Sequence, residues 1–232
     1  MTTKPITTIV EPKVIGAPRT RAYQIAWGLA LCFYFLEYAS RSAPAVMIPE
    51  LTRAFGMTAV GVSAILGTYY YTYSIASLIA GAALDRVGAK KAVPIGIFIL
   101  AVGCLLFSIP TATAGYAGRL LQGAGSAFAF TGAVYLAVHG FSARWLATAI
   151  GTTQCLGMLG GSAGQFVVGP LLERGLGWQT VWHWLGITSL AVGVLLFLIA
   201  PAEARPQTAG SGLASLLAPY RLENPPQAEL PC

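Results

Sequence analysis

The chain has 232 residues, of which 56% are apolar and only 9% are charged. Soluble domains carry about 25% charged residues, so this composition excludes an ordinary soluble protein and indicates an integral membrane protein. The net charge of +6 does not indicate a nucleic-acid partner, because the cations follow the loops instead of forming one basic patch.

Six apolar segments have the length that a helix needs to cross a bilayer. The predicted spans are residues 23–48, 59–84, 92–109, 113–139, 146–171 and 180–200. The predicted fold class is therefore an all-α membrane protein with a six-transmembrane-helix bundle over residues 22–200. Residues 1–21 are predicted to be a cytoplasmic tail. Residues 201–232 are predicted to be a polar, proline-rich tail, with or without a short amphipathic helix near 213–217.

A short cationic connection over residues 81–91, GAALDRVGAKK, joins the second and third predicted spans. Short loops rich in Lys and Arg are retained on the cytoplasmic side of a membrane, which orients the chain. With the amino terminus inside, ten of the fourteen Lys and Arg residues fall on the inner side, two fall outside and two lie within spans. The pattern predicts an inner-membrane protein with both termini in the cytoplasm.

This connection resembles the cytoplasmic loop signature of the major facilitator superfamily, which lies between the same two spans. The matching positions, which the resemblance implies form a cytoplasmic gate, are Gly81, Asp85, Arg86, Gly88, Lys90 and Lys91. Residues 119–123 and 177–179 resemble further motifs of the family, and residues 34–51 and 68–73 resemble a prokaryotic nutrient-permease subgroup. The resemblance implies transport by alternating access, with no enzymatic activity and no cofactor or metal.

The resemblance covers about residues 21–200, which corresponds to one six-helix half of the family's twelve-helix fold. Alternating access in this family rocks one half against the other. The resemblance therefore implies a second six-helix half as a partner, supplied by another copy, by a separate chain or by a longer protein of which this chain is a piece. Residues 201–232 would then be the start of a central loop. A small-molecule substrate and the lipid bilayer are the other expected partners.

Glu37 and Arg41 are the most informative charged residues. They stand four residues apart on the first predicted span, on one helical face and with the acid first. A charge at the bilayer centre costs roughly 2.5–3.5 kcal/mol, so such residues face the protein interior or water. In one interpretation, Arg41 binds an anionic group of a substrate and Glu37 accepts a coupling proton. In the other, the two residues form a structural ion pair or lie near the outer lipid headgroups. Anion-transporting relatives often have an acid directly before this arginine, where this chain has Ser40.

Further polar and aromatic residues align with this pair. Arg119 and Gln122 share a face of the fourth span, and Tyr70 and Tyr73 share a face of the second. Each set has a structural alternative, an interhelical clasp for the first and aromatic packing for the second. The predicted substrate-binding residues are Arg41, Tyr38, Tyr70, Tyr73, Arg119 and Gln122, with Glu37 as the proton-coupling residue.

Two other classes of function compete with transport. Residues 160–164, GGSAG, have the G-x-S-x-G form around Ser162, and His183 lies on the next span, as an intramembrane serine protease would require. The strand-turn-helix context of the hydrolase motif is absent, and glycines at this spacing also allow close helix packing. A scaffold, a sensor or an inactive fragment is the other class.

The main prediction is a secondary transporter, favoured as a proton-coupled symporter of an organic anion, an amino acid or a similar nutrient. Gly169-Pro170 comes too late in the fifth span to match the family's antiporter signature.

Overall fold

A computed structural model describes residues 18–201, with side chains described from residue 21. Within this range the chain forms eight α-helices and one 3-10 turn, Ala43–Val46, and no strand. The helices are α1 Pro18–Ser42, α2 Ile48–Phe55, α3 Ala59–Val87, α4 Ala89–Phe107, α5 Ala112–Gly140, α6 Ala143–Phe166, α7 Val168–Glu173 and α8 Trp178–Ile199. Both predicted tails, including the segment near 213–217, lie outside the described residues apart from the first residues of α1 and the last described position.

Most of the described helices are long and apolar enough to cross a membrane, which confirms the all-α membrane fold. Helices α4, α5 and α8 qualify, as does α6 together with α7, and α2 with α3 forms a fifth candidate if this pair, bent by 102°, is one broken span. Helix α1 has 25 residues but is not among them. Its polar residues Glu37 and Ser40 are fully buried in the bundle and lower its average apolarity. The count of six spans stays a prediction.

Prolines move two helix ends away from their predicted positions. The first predicted span runs to residue 48, but α1 ends at Ser42, because the residue before Pro44 is biased against helical backbone. The fifth predicted span runs to residue 171, but α6 ends at Phe166. Pro170, which has no N–H group to continue the hydrogen-bond ladder, lies in the separate short helix α7.

The connection at residues 81–91 is shorter than predicted. Helix α3 continues to Val87 and α4 begins at Ala89, so that Gly88 alone separates them. Its φ of 76° is a conformation that glycine adopts at little cost, and its N–H caps α3 by donating to the Leu84 carbonyl at 2.9 Å. Asp85 was expected just beyond the helix end. That expectation is wrong, because Asp85 lies in the last turn of α3.

Glycines bring the helices into close contact at the centre of the bundle. Helix α5 packs against α3 and α4, while α1 packs against α5, α6 and α8. On α6, a Cβ atom at Gly160 would overlap the Phe35 carbonyl of α1, and one at Gly164 would lie 2.6 Å from the Ala39 carbonyl oxygen. The close packing expected from the small residues of this segment is therefore confirmed, and it holds α1 in place.

This packing predicts that Gly160→Ala destabilises the protein. The added methyl group must push α1 away from α6, and overpacking of this kind costs about 1–3 kcal/mol. Gly151→Ala, on the exposed face of the same helix with nothing within 4 Å, is the matched control. Thermal unfolding of the purified protein in detergent should show a lower midpoint for Gly160→Ala than for Gly151→Ala. Equal midpoints would contradict the packing account.

Candidate binding site

A cavity of about 650 Å³ opens among α1, α3, α5 and α6. It lies toward the first half of α3, at the end of the bundle away from residues 81–91. Its volume falls within the range of small-molecule sites, roughly 300–1,000 Å³. The residues that line it are Tyr38, Arg41, Ser42, Pro44, Ala45, Ile48, Ser63, Leu66, Gly67, Tyr70, Arg119 and Gln165. Two cations and several hydroxyl groups therefore face an otherwise apolar chamber.

Glu37 and Arg41 form an ion pair behind the wall of this cavity. Arg41 Nη2 lies 2.9 Å from Glu37 Oε1, with the carboxylate side chain fully buried and the arginine side chain 17% exposed. Glu37 Oε2 has no hydrogen-bond partner among the described residues. The pair combines a sequestered acid with a cation that remains accessible from the cavity.

Tyr69 joins both members of the ion pair. Its hydroxyl group donates a hydrogen bond to Glu37 Oε1 and accepts hydrogen bonds from Arg41 Nε at 3.0 Å and Nη2 at 2.9 Å. The Arg41 guanidinium carbon also lies 4.7 Å from the Tyr38 ring centroid, 5.1 Å from that of Tyr69 and 4.8 Å from that of Tyr73. Three aromatic rings thus stabilise the Arg41 cation, most of which is buried.

Arg119 is the second cation of the site and is held by its own helix and by α1, while Gln122 links α5 to α4. Its Nη1 donates to Gln122 Oε1 at 2.7 Å and to the Ser40 carbonyl at 3.3 Å, and Gln122 Nε2 donates to the Gly103 carbonyl at 3.1 Å. Arg119 is 2% exposed, and its Nε has no partner among the described residues. The guanidinium carbon lies 4.8 Å from the Tyr69 ring centroid. Within the described residues no carboxylate neutralises this arginine.

The structure brings together most of the residues predicted for the site. Tyr38, Arg41, Tyr70 and Arg119 line the cavity. The remaining three, Glu37, Tyr73 and Gln122, are not part of its wall, but each contacts a wall residue. The side chain of Gln122 links α5 to α4 by a hydrogen bond. This is the interhelical clasp given above as the structural alternative for Arg119 and Gln122.

Sequence reasoning missed Tyr69. The three consecutive tyrosines at 69–71 lie in an apolar segment, and the helical spacing to Tyr73 suits Tyr69 as well as Tyr70. Tyr69 is fully buried, whereas Tyr70 and Tyr71 are 54% and 73% exposed. Helical spacing does not show which of the three tyrosines is buried, because that depends on which face of α3 packs against α5.

The residues of the predicted cytoplasmic gate lie at the other end of the bundle. Gly81 and Asp85 line a mostly apolar groove of about 450 Å³ between α3 and α5. Asp85, Arg86 and Lys91 are exposed, and Lys90 Nζ lies 6.0 Å from the Phe197 ring centroid. Within the described residues Asp85 forms no ion pair. This end of the bundle therefore presents exposed charges of both signs.

The geometry excludes the serine protease alternative. Ser162 Oγ donates to the Met158 carbonyl of its own helix, and the residue is exposed on α6. His183 Nε2 lies 3.1 Å from Oγ of Ser108, the residue that directly follows α4. The serine and the histidine of the proposed pair thus have different partners, and no nucleophile–base contact exists between them.

Comparisons with known proteins identify one family. The family model for the Major Facilitator Superfamily matches residues 30–226. The drug efflux pump JefA of Mycobacterium tuberculosis is 26% identical over 187 residues, which cover 78% of this chain and 35% of that protein. The probable sulfoacetate transporter SauU of Cupriavidus necator is 26% identical over 187 residues, or 74% of this chain and 40% of that protein. The L-fucose-proton symporter of Escherichia coli is 26% identical over 91 residues, or 39% and 21%. The chain thus spans well under half the length of these relatives.

The buried ion pair predicts a stability effect that depends on charge balance. Arg41→Gln leaves the Glu37 carboxylate without its cation, and removal of one partner of a buried pair costs about 3–5 kcal/mol. Adding Glu37→Gln removes the orphaned charge and should restore much of the loss. Thermal unfolding in detergent measures both, with Arg144→Gln on an exposed position of α6 as the control. The account fails if the single and double variants unfold at the same temperature.

Proposed function

Because the chain belongs to the Major Facilitator Superfamily, we propose that it forms one six-helix half of a secondary transporter for a small organic anion. The transporter works by alternating access across the inner membrane, with both termini of this chain in the cytoplasm. The observation that carries the proposal is the charge of the cavity. Two guanidinium groups, of Arg41 and Arg119, line it, and one nearby carboxylate, of Glu37, balances only one of them.

An anion fits this arrangement better than a neutral or cationic solute. Arginine presents paired N–H donors that match carboxylate, sulfonate or phosphate groups. Arg119 borders the cavity and forms no ion pair with a carboxylate among the described residues, so an anion in the cavity would supply the counter-charge that it lacks. Tyr38 and Tyr70 add aromatic and hydroxyl groups to the same chamber. The name of one relative, a probable sulfoacetate transporter, supports the same class of substrate.

Glu37 couples the anion to a proton in this proposal. The carboxylate and an incoming anion compete for Arg41, since both bind guanidinium through oxygen atoms. When the substrate takes Arg41, the buried Glu37 loses its partner, and an isolated carboxylate in a dry interior binds a proton instead. Anion and proton then move together, which is symport. The name of another relative, a proton symporter, is consistent with this coupling.

A second six-helix half and the cytoplasmic gate complete the proposed transporter. In the proposal, a second six-helix half faces the open side of the cavity and contributes the rest of the binding site. At the other end, Gly81, Asp85, Arg86, Gly88, Lys90 and Lys91 form the cytoplasmic gate. Their exposed charges hold a partner segment when the cytoplasmic side is closed.

Equilibrium binding to the chain in lipid nanodiscs tests the substrate class. Labelled small carboxylates and sulfonates should bind, and the Glu37→Gln/Arg41→Gln double variant should lose at least tenfold in affinity, because it keeps the interior neutral but lacks the guanidinium. Arg144→Gln, far from the cavity, should bind like the unaltered chain. Neutral or cationic analogues that bind as well as the anions would refute the proposal, as would undiminished binding by the double variant.

Proton uptake tests the role of Glu37 separately. In weakly buffered solution with a pH indicator, anion binding should remove close to one proton per site from the medium. Glu37→Gln should bind the anion with no proton uptake, because the amide cannot accept one. Glu173→Gln, exposed on α7, is the matched control and should behave like the unaltered chain. Equal proton uptake by Glu37→Gln and the unaltered chain would assign the coupling to another group.

A further inference from the structure

We propose that Tyr69 is the positioning residue of the anion site, because its hydroxyl group fixes the Arg41 guanidinium against Glu37 and its ring stabilises Arg41 and Arg119 together. The inference rests on the proposed function and adds a residue to it. Tyr69 is fully buried and is not part of the cavity wall, so it acts through the arginines and does not contact the substrate.

The hydrogen bonds of Tyr69 use the full capacity of its hydroxyl group. A phenol oxygen has one proton to donate and two lone pairs to accept. The proton goes to Glu37 Oε1, and the lone pairs accept from Arg41 Nε and Nη2. These bonds, with the ion pair, hold the Nε–Nη2 edge of the guanidinium in one orientation. Without the hydroxyl, this edge of the guanidinium would keep the ion pair with Glu37 but lose both hydrogen bonds to Tyr69.

The ring of Tyr69 lies close to both cations. Its centroid is 5.1 Å from the Arg41 guanidinium carbon and 4.8 Å from that of Arg119. Two like charges so near each other repel strongly in a dry interior. The negative face of an aromatic ring offsets part of that repulsion, and it does so without consuming the N–H donors that an anion needs. A carboxylate in the same place would neutralise the site and exclude the anion.

The fold holds Tyr69 firmly in this place. Helices α3 and α5 touch at Gly123, where a Cβ atom would overlap the backbone carbonyl of Tyr69. Thr72 Oγ1, less than one turn later on α3, donates to the Leu120 carbonyl of α5 at 2.8 Å. The Tyr73 ring stacks on the Tyr69 ring with centroids 5.8 Å apart. These contacts fix α3 and the Tyr69 ring in place, so that Tyr69 can orient the flexible Arg41 side chain.

Tyr69→Phe tests the inference because it removes the hydroxyl and keeps the ring. Carboxylate or sulfonate binding in nanodiscs should weaken about tenfold or more, as expected when hydrogen bonds to charged groups are lost. Tyr71→Phe, on the exposed face of the same helix, should bind like the unaltered chain. Unchanged affinity in Tyr69→Phe, in a chain that does bind the anion, would overturn the role of Tyr69 and leave the proposed function intact.

A double-mutant cycle separates positioning from general support of the fold. Arg41→Lys keeps a cation near Glu37 but lacks the planar guanidinium group that Tyr69 orients. If Tyr69 acts through Arg41, adding Tyr69→Phe to Arg41→Lys should change the affinity by less than twofold, since contacting residues are non-additive. A full tenfold further loss in that background would show that Tyr69 acts independently of Arg41, which contradicts the inference.

A chemical probe tests the positioning without any anion. Arg41 is partly exposed, and phenylglyoxal modifies arginine side chains that are free to move. Modification of Arg41, followed by mass spectrometry, should be several times faster in Tyr69→Phe than in the unaltered chain or in Tyr71→Phe. Equal rates in all three proteins would overturn the inference even if no anion in the panel bound.

Discussion

The structure depends on an acid and a base buried together between apolar helices. An isolated ion in this interior costs several kcal/mol, and pairing offsets part of that cost for Glu37 and Arg41. They are retained because each satisfies the other and because Tyr69 supplies hydrogen bonds to both. The cavity opens where this cluster leaves the Arg41 guanidinium accessible.

Close helix packing makes that arrangement possible. Gly160 lets α6 approach α1, which carries the ion pair, and Gly123 lets α5 approach α3, which carries Tyr69. In lipid, apolar side chains gain little from leaving their surroundings, so such contacts rely on shape and on interhelical hydrogen bonds. The clasp from Arg119 through Gln122 to the Gly103 carbonyl is one of these bonds. Structural support and the candidate site are built from the same residues.

The proposed function links the cavity to transport. It is positively charged, it is of small-molecule size and it lies away from the charged connection between α3 and α4. A single half of a facilitator can hold such a site but cannot open it to each side in turn, because the movement is of one half against another. The relatives are more than twice as long as the region that matches this chain, so each is long enough to hold two such halves.

The sequence by itself determined the class of protein, the approximate position of the long helices and the presence of Glu37, Arg41 and Arg119 as charges within apolar segments. Composition and charge spacing are local properties, and a charge in an apolar segment is visible without any structure. Only the tertiary structure decided that Tyr69 and not Tyr70 bridges the ion pair, that Gln122 is a clasp, and that Ser162 and His183 lie with different partners. Those facts depend on the rotation of each helix about its axis. That rotation is set by contacts between residues far apart in the chain, such as Gly123 with Tyr69, and helical spacing alone carries no information about it.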